Sequence, residues 1–268
     1  MFAYSTPPQL ELIQGYRLQA RIEDGLQFGF VVGEFAQENQ AKLRQLEQER
    51  DRLSLACAAA GLGGIAGFIL LSPLFTAMAA LPALSSLLGE LQTTSQRFFL
   101  MTELMEALED ENVAIEIGLK PEGLREIDFF LRFSDKEYVL IQIRSLGDAK
   151  VTYNEEREAL RFRKKGGGSK TWEPDPLFEL AEQERWLRRQ RYDLLGQSAR
   201  DRRRPLAKLL VLWQETVLGD HPEHLYVTMD DQKYLTIRKM GTTALVTKEQ
   251  VIDFIRGYLA SRRSRKTS

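Results

Sequence analysis

Three polar side chains interrupt two otherwise apolar predicted strands, and they are the first candidates for chemistry in this sequence. Asp128, Gln142 and Arg144 lie in the segment EIDFFLRFSDKEYVLIQIRS at 126–145. If residues 134–136 form a three-residue turn, Asp128 lies opposite Gln142, and Arg144 follows one step further along the same face. A two-residue turn would place Asp128 and Gln142 on opposite faces. The longer turn predicts one polar cluster, which can serve a ligand or form a structural salt-bridge and hydrogen-bond patch.

Alternating apolar residues predict the strands that position this cluster. Ile127, Phe129, Leu131 and Phe133 share one face of the first strand, and Val139, Ile141 and Ile143 share one face of the second. An amphipathic helix near 91–110 and a strand near 113–117 precede them. A helix starting near Pro176, three further strands and a closing helix follow, which predicts a mixed α/β domain with a central sheet. The basic segment RFRKKGGGSK fails the phosphate-loop pattern and is predicted to be a mobile connection.

Composition limits the classes of protein to which this chain can belong. Its 268 residues are 43% hydrophobic, enough for one large or two modest domains, and its net charge of −1 gives no overall attraction to nucleic acid. The single cysteine excludes an internal disulfide framework and a zinc site built from paired thiolates. His221 and His224 lie in the segment DHPEH, where the proline and a nearby glycine predict an exposed turn rather than a metal site.

The segment 53–89 contains no Asp, Glu, Lys or Arg. It is longer than the roughly 20 residues that cross a bilayer, and Ser72 and Pro73 divide it into two parts of near-span length. This pattern predicts a transmembrane helical hairpin, in which small residues such as Gly61 and Gly64 let the helices approach closely. Two alternatives stay open. One is a single span followed by an interfacial helix, since the second half contains Pro82, and the other is a soluble core hairpin or an oligomerisation core.

The chain therefore divides into three predicted regions. They are an N-terminal helical and partly unassigned region at 1–52, the transmembrane hairpin at 53–89 and the α/β domain at 91–268. Positive side chains flank the hairpin, which predicts a membrane protein with both hairpin ends and the α/β domain in the cytoplasm. These side chains are Lys42, Arg44, Arg50, Arg52 and Arg97. The first residues lack the basic start and apolar core of a signal peptide.

The segment REIDFFLRFSDKEYVLIQIRSLGDAKV, followed by DPLFELAEQERWL, resembles the PD-(D/E)XK restriction-endonuclease-like superfamily and, within it, the nuclease-related (NERD) domains. The NERD pattern has an Ile-Asp step, an acid or Gln two residues before a Lys, a Trp-containing loop and a helix that starts with Pro-Leu. The matching residues are Ile127 and Asp128, Gln142 and Arg144, Trp172, and Pro176 with Leu177. The resemblance covers about 92–260 and implies a restriction-endonuclease-like mixed central sheet flanked by helices.

The resemblance also implies a Mg²⁺-dependent endonuclease acting on DNA, with Asp128, Gln142 and Arg144 at the catalytic site. Asp128 and Gln142 would be the metal ligands, and the ion would activate the attacking water. Arg144 stands where the family has a lysine, although an arginine stays protonated and is a wide planar fork that suits phosphate better than a metal-bound water. The helix glutamate that such nucleases often add is not identified among Glu103, Glu106 and Glu109. The candidate site is therefore degenerate.

Three groups of basic residues in the α/β domain bear on the ligand. They are Arg185, Arg188, Arg189 and Arg191; Arg200, Arg202, Arg203 and Arg204; and Arg262, Arg263, Arg265 and Lys266. Guanidinium groups suit DNA phosphates, the anionic lipid heads beside a membrane anchor, or a solvated surface. Two functions follow: a membrane-anchored metal-dependent nuclease, or a catalytically inactive nuclease-fold module that binds nucleic acid, anionic lipid or protein at a membrane. The sequence identifies no protein partner.

Overall fold

A computed structural model shows an α/β protein in which a long helical hairpin leads into a mixed sheet flanked by helices. The structure describes residues 35–70, 73–196 and 198–267, and the side chains of 61–81, 202, 266 and 267 lie outside that description. The N-terminal prediction for 1–34 also falls outside the described residues. The α/β class that the sequence predicts is confirmed.

Six α-helices occupy the described part of the chain. They are α1 (Ala36–Leu70), α2 (Pro73–Ala107), α3 (Pro176–Gln190), α4 (Tyr192–Leu195), α5 (Ala199–Arg202) and α6 (Val251–Thr267). Short 3-10 helices lie at Glu223–Leu225 and Lys248–Gln250. Helix α3 starts where the sequence predicts, because the side chain of Asp175 accepts a hydrogen bond from Leu177 N at 3.0 Å and a proline suits the first helical position.

The described strands form two sheets. They are β1 (Val113–Leu119), β2 (Ile127–Phe133), β3 (Tyr138–Arg144), β4 (Ala149–Asn154), β5 (Ala159–Lys164), β6 (Lys170–Thr171), β7 (Leu206–Leu212), β8 (Thr216–Leu218), β9 (Tyr226–Met229), β10 (Gln232–Ile237) and β11 (Thr243–Thr247). The main sheet has the order β1-β2-β3-β7-β11-β10-β9, and the second has the order β6-β5-β4-β8. The main sheet is mixed, because β7 pairs in parallel with both β3 and β11 while its other pairs are antiparallel.

The turn between β2 and β3 has the three residues that the sequence analysis requires. Phe133 N donates to Glu137 O at 3.0 Å and Lys136 N donates to Phe133 O at 2.9 Å, while Lys136 has a left-handed φ of 59°. Phe129 consequently pairs with Ile141, which is the predicted register. Both faces of the sheet are covered. The core with α2 and α6 contains Phe129, Leu131, Val139 and Ile141, and the core with α3 contains Phe130, Leu140, Leu210 and Leu245.

The prediction of a mobile connection at 161–170 is wrong. Residues 159–164 form β5, which pairs with β4 and β6 in the second sheet. The segment folds as a strand because Leu160 and Phe162 alternate with arginines and pack into the core beside α3. The glycines make only the turn to β6, where Gly166 has a φ of +74° and Gly167 N donates to Lys164 O at 3.0 Å.

Helices α1 and α2 form the helical hairpin that the sequence predicts at 53–89. Helix α1 ends at Leu70, α2 begins at Pro73, and α2 continues through Pro82. None of the described residues at 82–93 is buried, and Leu55 and Leu88 are 73% and 49% exposed. Within the described part of the chain, no helix is long and apolar enough to cross a membrane. The side chains of 61–81 lie outside that description, and membrane insertion stays a prediction.

The first turns of α1 protect the edge of the main sheet. The side chain of Asn39 donates to Val113 O at 2.8 Å and accepts from Ile115 N at 3.0 Å, so a single amide pairs with the open edge of β1. Lys42 Nζ donates to Ile115 O at 2.8 Å. These contacts satisfy backbone groups to which another strand could otherwise pair, and they attach the start of α1 to the sheet.

A buried ion pair attaches α3 to the main sheet. The side chain of Lys208 on β7 is 2% exposed, and its Nζ lies 2.9 Å from Glu184 Oε2 and donates to Met240 O at 3.0 Å. Gly241 has a φ of +94°, and a Cβ there would lie 2.8 Å from Lys208 Nζ, so a side chain would strain the backbone and displace the lysine. Burial alone would raise the pKa of Glu184, but hydrogen bonds from Lys208 and Arg188 outweigh burial and hold the pKa below 4.5.

Lys208→Met should lower the free energy of unfolding by roughly 1–3 kcal/mol at pH 7, because the charge of Glu184 would then be balanced by Arg188 alone. Since the folded pKa of Glu184 is lowered, its ion pairs stabilise fully above pH 4.5 and lose that effect as the pH falls through the folded pKa. The deficit of the variant should therefore shrink in acid. Denaturant unfolding of both proteins at pH 7 and about pH 3 measures this difference.

The matched control is Lys233→Met, because Lys233 is 58% exposed and pairs with Glu223, which is 75% exposed. That variant should change stability little at either pH. A Lys208→Met deficit of the same size at both values of pH would contradict the assignment to Glu184.

Candidate functional site

Asp128, the central candidate residue, is held between α2 and β3 and is 2% exposed. Its Oδ1 accepts a hydrogen bond from Arg97 Nε at 2.9 Å and lies 2.8 Å from Arg97 Nη2. Its Oδ2 accepts from Ile143 N at 2.7 Å. Both carboxylate oxygens are therefore occupied by protein donors, and one of these donors carries a full positive charge.

Arg97 is the centre of this network, and it comes from the helix that the resemblance expects to contribute a glutamate. Its side chain is 14% exposed, and its Nη1 lies 2.9 Å from Glu126 Oε2. Burial alone would lower the pKa of Arg97, but Asp128 and Glu126 outweigh burial and raise it. Burial alone would raise the pKa of Glu126, but hydrogen bonds from Lys120 and Arg97 bring it below 4.5. Arg97, Lys120 and Glu126 are therefore charged at neutral pH.

Gln142 lies on β3, an interior strand of the main sheet, and is fully buried. Neither its Oε1 nor its Nε2 has a hydrogen-bond partner among the described residues. A buried amide without partners is costly, and in native structures such groups are rare and need an explanation. Gln142 is therefore the least satisfied polar side chain of the candidate site.

Arg144 is paired with Glu179 in the first turn of α3, and the two side chains are 7% and 12% exposed. Burial lowers the pKa of Arg144 to about 10, with the charge of Arg125 acting in the same direction and Asp128 opposing it. The guanidinium still carries its charge at neutral pH. Because Glu179 occupies it, the phosphate-binding capacity that the sequence assigns to Arg144 is already used inside the protein.

The structure brings the three predicted site residues to one end of the sheet but does not bond them to one another. Asp128 pairs with α2, which packs on one face, whereas Arg144 pairs with α3 on the other face. The β2–β3 pairing runs only as far as Phe129, and Asp128 receives the Ile143 N–H through its side chain. The predicted single cluster is thus absent. Asp128 and Arg144 each belong to a separate ion pair, and Gln142 belongs to neither.

This donor set does not suit Mg²⁺. A divalent cation needs several oxygen ligands with a negative net charge, and Asp128 is the only carboxylate among the three candidates. Its charge is balanced by Arg97, and Arg144 lies nearby as a second cation. Among the described residues, no group of three or more His, Cys, Asp or Glu side chains is placed to hold a metal ion. Binding of Mg²⁺ at Asp128 would first require displacement of Arg97.

Three of the remaining candidate residues, Glu103, Trp172 and His221, have structural contacts. Glu103 pairs with Lys248 at 2.8 Å, so it does not reach Asp128, and Trp172 is buried in the core beside α3. His221 accepts from Tyr153 N through Nε2 at 2.9 Å and bonds to a backbone carbonyl through Nδ1 at 2.8 Å. Burial lowers the pKa of His221, in keeping with this neutral tautomer. These residues stabilise the fold rather than form a reactive site.

Six of the twelve basic residues that the sequence analysis singled out are paired with nearby carboxylates. Such pairs are Arg185–Glu182, Arg188–Glu184, Arg191–Asp193, Arg204–Asp201, Arg262–Glu137 and Arg263–Glu111. Pairs of this kind on a helix surface leave little positive potential for a polyanion. These six paired arginines are therefore poor candidates for the main ligand-binding surface.

No family model, curated protein or solved structure matches this chain. The class that the fold defines is an α/β protein with a seven-stranded mixed sheet flanked by helices. The arrangement of Asp128, Gln142 and Arg144 must therefore be interpreted from its own geometry and charge.

Proposed function

We propose that this chain is a membrane-associated, non-catalytic binding module with a nuclease-like fold. The observation that carries the proposal is the pairing of Asp128 with Arg97 and of Arg144 with Glu179. Residues that must release and rebind a metal, a water and a phosphate need free donor atoms. Here Asp128 and Arg144 instead bind side chains of α2 and α3. We infer that the site positions these two helices on the ends of β2 and β3.

The membrane part of the proposal is supported by the helical hairpin. Its segment 53–89 has no charged side chain, and Leu55 and Leu88 stay largely exposed on the described portion. The twenty residues from Pro73 to Gln92 extend about 30 Å at 1.5 Å per residue, a length that matches a hydrocarbon core. We place the hairpin in the membrane and the α/β domain on its cytoplasmic side, where the anionic leaflet faces it.

A cleavage assay on the full chain tests the non-catalytic assignment. Purified protein is incubated with supercoiled DNA and with single-stranded DNA in the presence of Mg²⁺ or Mn²⁺. We expect no metal-dependent cleavage by the wild type, and none by Arg144→Lys, because Arg97 would still neutralise Asp128.

Two matched variants identify contaminating activity. Asp128→Asn keeps the size of the buried side chain, and Asp110→Asn changes an exposed carboxylate on the same domain. Cleavage that requires metal, disappears in Asp128→Asn and persists in Asp110→Asn would overturn the proposal and establish the Mg²⁺-dependent nuclease instead.

A further inference from the structure

A basic groove lies on the second sheet, away from the ion pairs of the candidate site. Its volume is about 440 Å³, and its cations are Lys150 on β4, Arg163 and Lys164 on β5, and Lys165 in the turn that follows. Asp148 is the single carboxylate that lines it. Two turn glycines complete the wall, so backbone as well as side chains is open to a ligand.

Three of these cations are uncompensated. Arg163, Lys164 and Lys165 are exposed, and no ion pair or side-chain hydrogen bond engages them within the described part of the chain. Lys150, by contrast, lies 2.9 Å from an oxygen of the exposed Asp220. This distinguishes the groove from the six arginines of the helices and their flanks that are paired with carboxylates. Three adjacent unpaired cations form a surface that attracts phosphate groups.

The groove lies at the end of the domain from which the hairpin emerges. At the base of the hairpin, Gln92 Nε2 donates to Gln214 Oε1 at 3.2 Å, and Gln214 lies in the short link between β7 and β8. The first residue pair of β8 and β4 is Thr216 with Ala149, and Ala149 also pairs with Lys164. A short chain of contacts therefore connects the hairpin base to the basic groove.

We infer that the basic groove binds the phosphate groups of anionic phospholipids in the leaflet next to the hairpin. This inference rests on the proposed function, because the hairpin must bring this end of the domain to the membrane. A lipid surface fits better than DNA, since a membrane anchor holds the groove at headgroup level at all times. Polybasic segments beside membrane anchors recognise anionic lipid by the same electrostatic attraction.

The test compares the full chain on vesicles of phosphatidylcholine alone with vesicles that also contain phosphatidylglycerol, by flotation. The hairpin should give binding to both, and the anionic lipid should increase it. The triple variant Arg163→Glu, Lys164→Glu and Lys165→Glu should lower partitioning onto the anionic vesicles at least ~30-fold. Its binding to the neutral vesicles should stay unchanged. The milder Lys164→Gln, Lys165→Gln variant should give a smaller loss in the same direction and guards against misfolding.

The matched control changes charge equally at the opposite end of the sheet. Arg189→Glu, Arg200→Glu and Arg203→Glu alter exposed arginines near Asp201, which pairs with Lys136 in the β2–β3 turn. This control should reduce anionic binding by no more than about threefold, since the altered charges lie near the β2–β3 turn, away from the basic groove, and salt screens charges at a distance.

Each outcome has a separate meaning. Loss of wild-type binding to neutral vesicles would refute the proposed membrane association. The groove assignment alone would be refuted if the wild type bound neutral and anionic vesicles equally well. It would also be refuted if both triple variants lost the same amount of binding to anionic vesicles. Full competition by inorganic phosphate at millimolar concentration would assign the groove to a free phosphate. Binding of labelled DNA that the triple variant abolishes, with lipid binding intact, would assign it to nucleic acid.

Discussion

Replacing Arg97 with methionine is expected to lower the free energy of unfolding by about 3–5 kcal/mol, because an unpaired buried charge is left behind. Asp128 is 2% exposed and would keep only the Ile143 N–H as a donor. Methionine preserves the packing of the long side chain while removing its charge and its hydrogen bonds. Denaturant unfolding of the full chain at pH 7 measures the loss.

The control for Arg97 is the neighbouring cation on the same network. Lys120 Nζ lies 2.9 Å from Glu126 Oε1, but the lysine side chain is 78% exposed. Lys120→Met should therefore change the free energy of unfolding little. The double variant Arg97→Met, Asp128→Leu should recover part of the loss, since it removes both charges together. Equal costs for Arg97→Met and Lys120→Met would contradict a buried structural ion pair.

The deficit of Arg97→Met should also narrow in acid. Burial by itself raises the pKa of Glu126, but its hydrogen bonds to Lys120 and Arg97 lower the folded pKa below 4.5. A lowered folded pKa stabilises the native state above the unfolded pKa, and the stabilisation is lost as the pH falls through the folded value. Wild type therefore loses more stability than the variant on acidification.

The register of the β2–β3 hairpin could be predicted from sequence because turn length and apolar alternation are local properties. The three-residue turn at 134–136 sets the register, and the structure has Phe129 opposite Ile141 as expected, although the pairing ends there and does not reach Asp128 and Gln142. The start of α3 was predictable for the same reason, since the Asp175-Pro176 step is a local capping signal. Signals of this range suffice for these two elements but not for the second sheet, whose strand at 159–164 the sequence analysis interprets as part of a mobile connection.

The partners of the site residues could not be predicted in the same way. Arg97 was interpreted as a charge flanking a membrane segment, whereas α2 runs unbroken into the domain and carries it to Asp128. One signal was present: Arg97 precedes Met101, Leu104 and Leu108 at helical spacing, which puts it on the buried face. The pairing of Arg144 with Glu179 has no comparable local signal, because the two residues meet only through tertiary packing.

The ends of the sheet also show that residues at the expected positions of a motif can serve the fold. A carboxylate at position 128 and a basic group at position 144 remain where the resemblance expects them, but each is bonded to a helix. Such ion pairs attach α2 and α3 to the ends of β2 and β3. A fold can keep these residues for positioning after a site has closed, since fold alone does not determine function.

Gln142→Met should raise the free energy of unfolding by roughly 1–3 kcal/mol, the opposite sign from most core substitutions. The methionine side chain has nearly the same length and shape, and it removes two buried polar atoms that have no partner among the described residues. Thermal and denaturant unfolding of the full chain would each detect the gain. A non-catalytic module does not need Gln142 as a metal ligand, so a stabilising substitution there agrees with the proposed function.

Gln183→Met is the matched control, because both glutamines are fully buried but only one is hydrogen-bonded. Gln183 Nε2 donates to Arg125 O at 2.9 Å, so methionine at 183 should cost about 1–2 kcal/mol. Changes of opposite sign in the free energy of unfolding would confirm that the amide of Gln142 does not stabilise the fold. If Gln142→Met instead destabilises the protein as much as Gln183→Met, the amide has a partner, and a polar ligand between β2 and β3 becomes the better explanation.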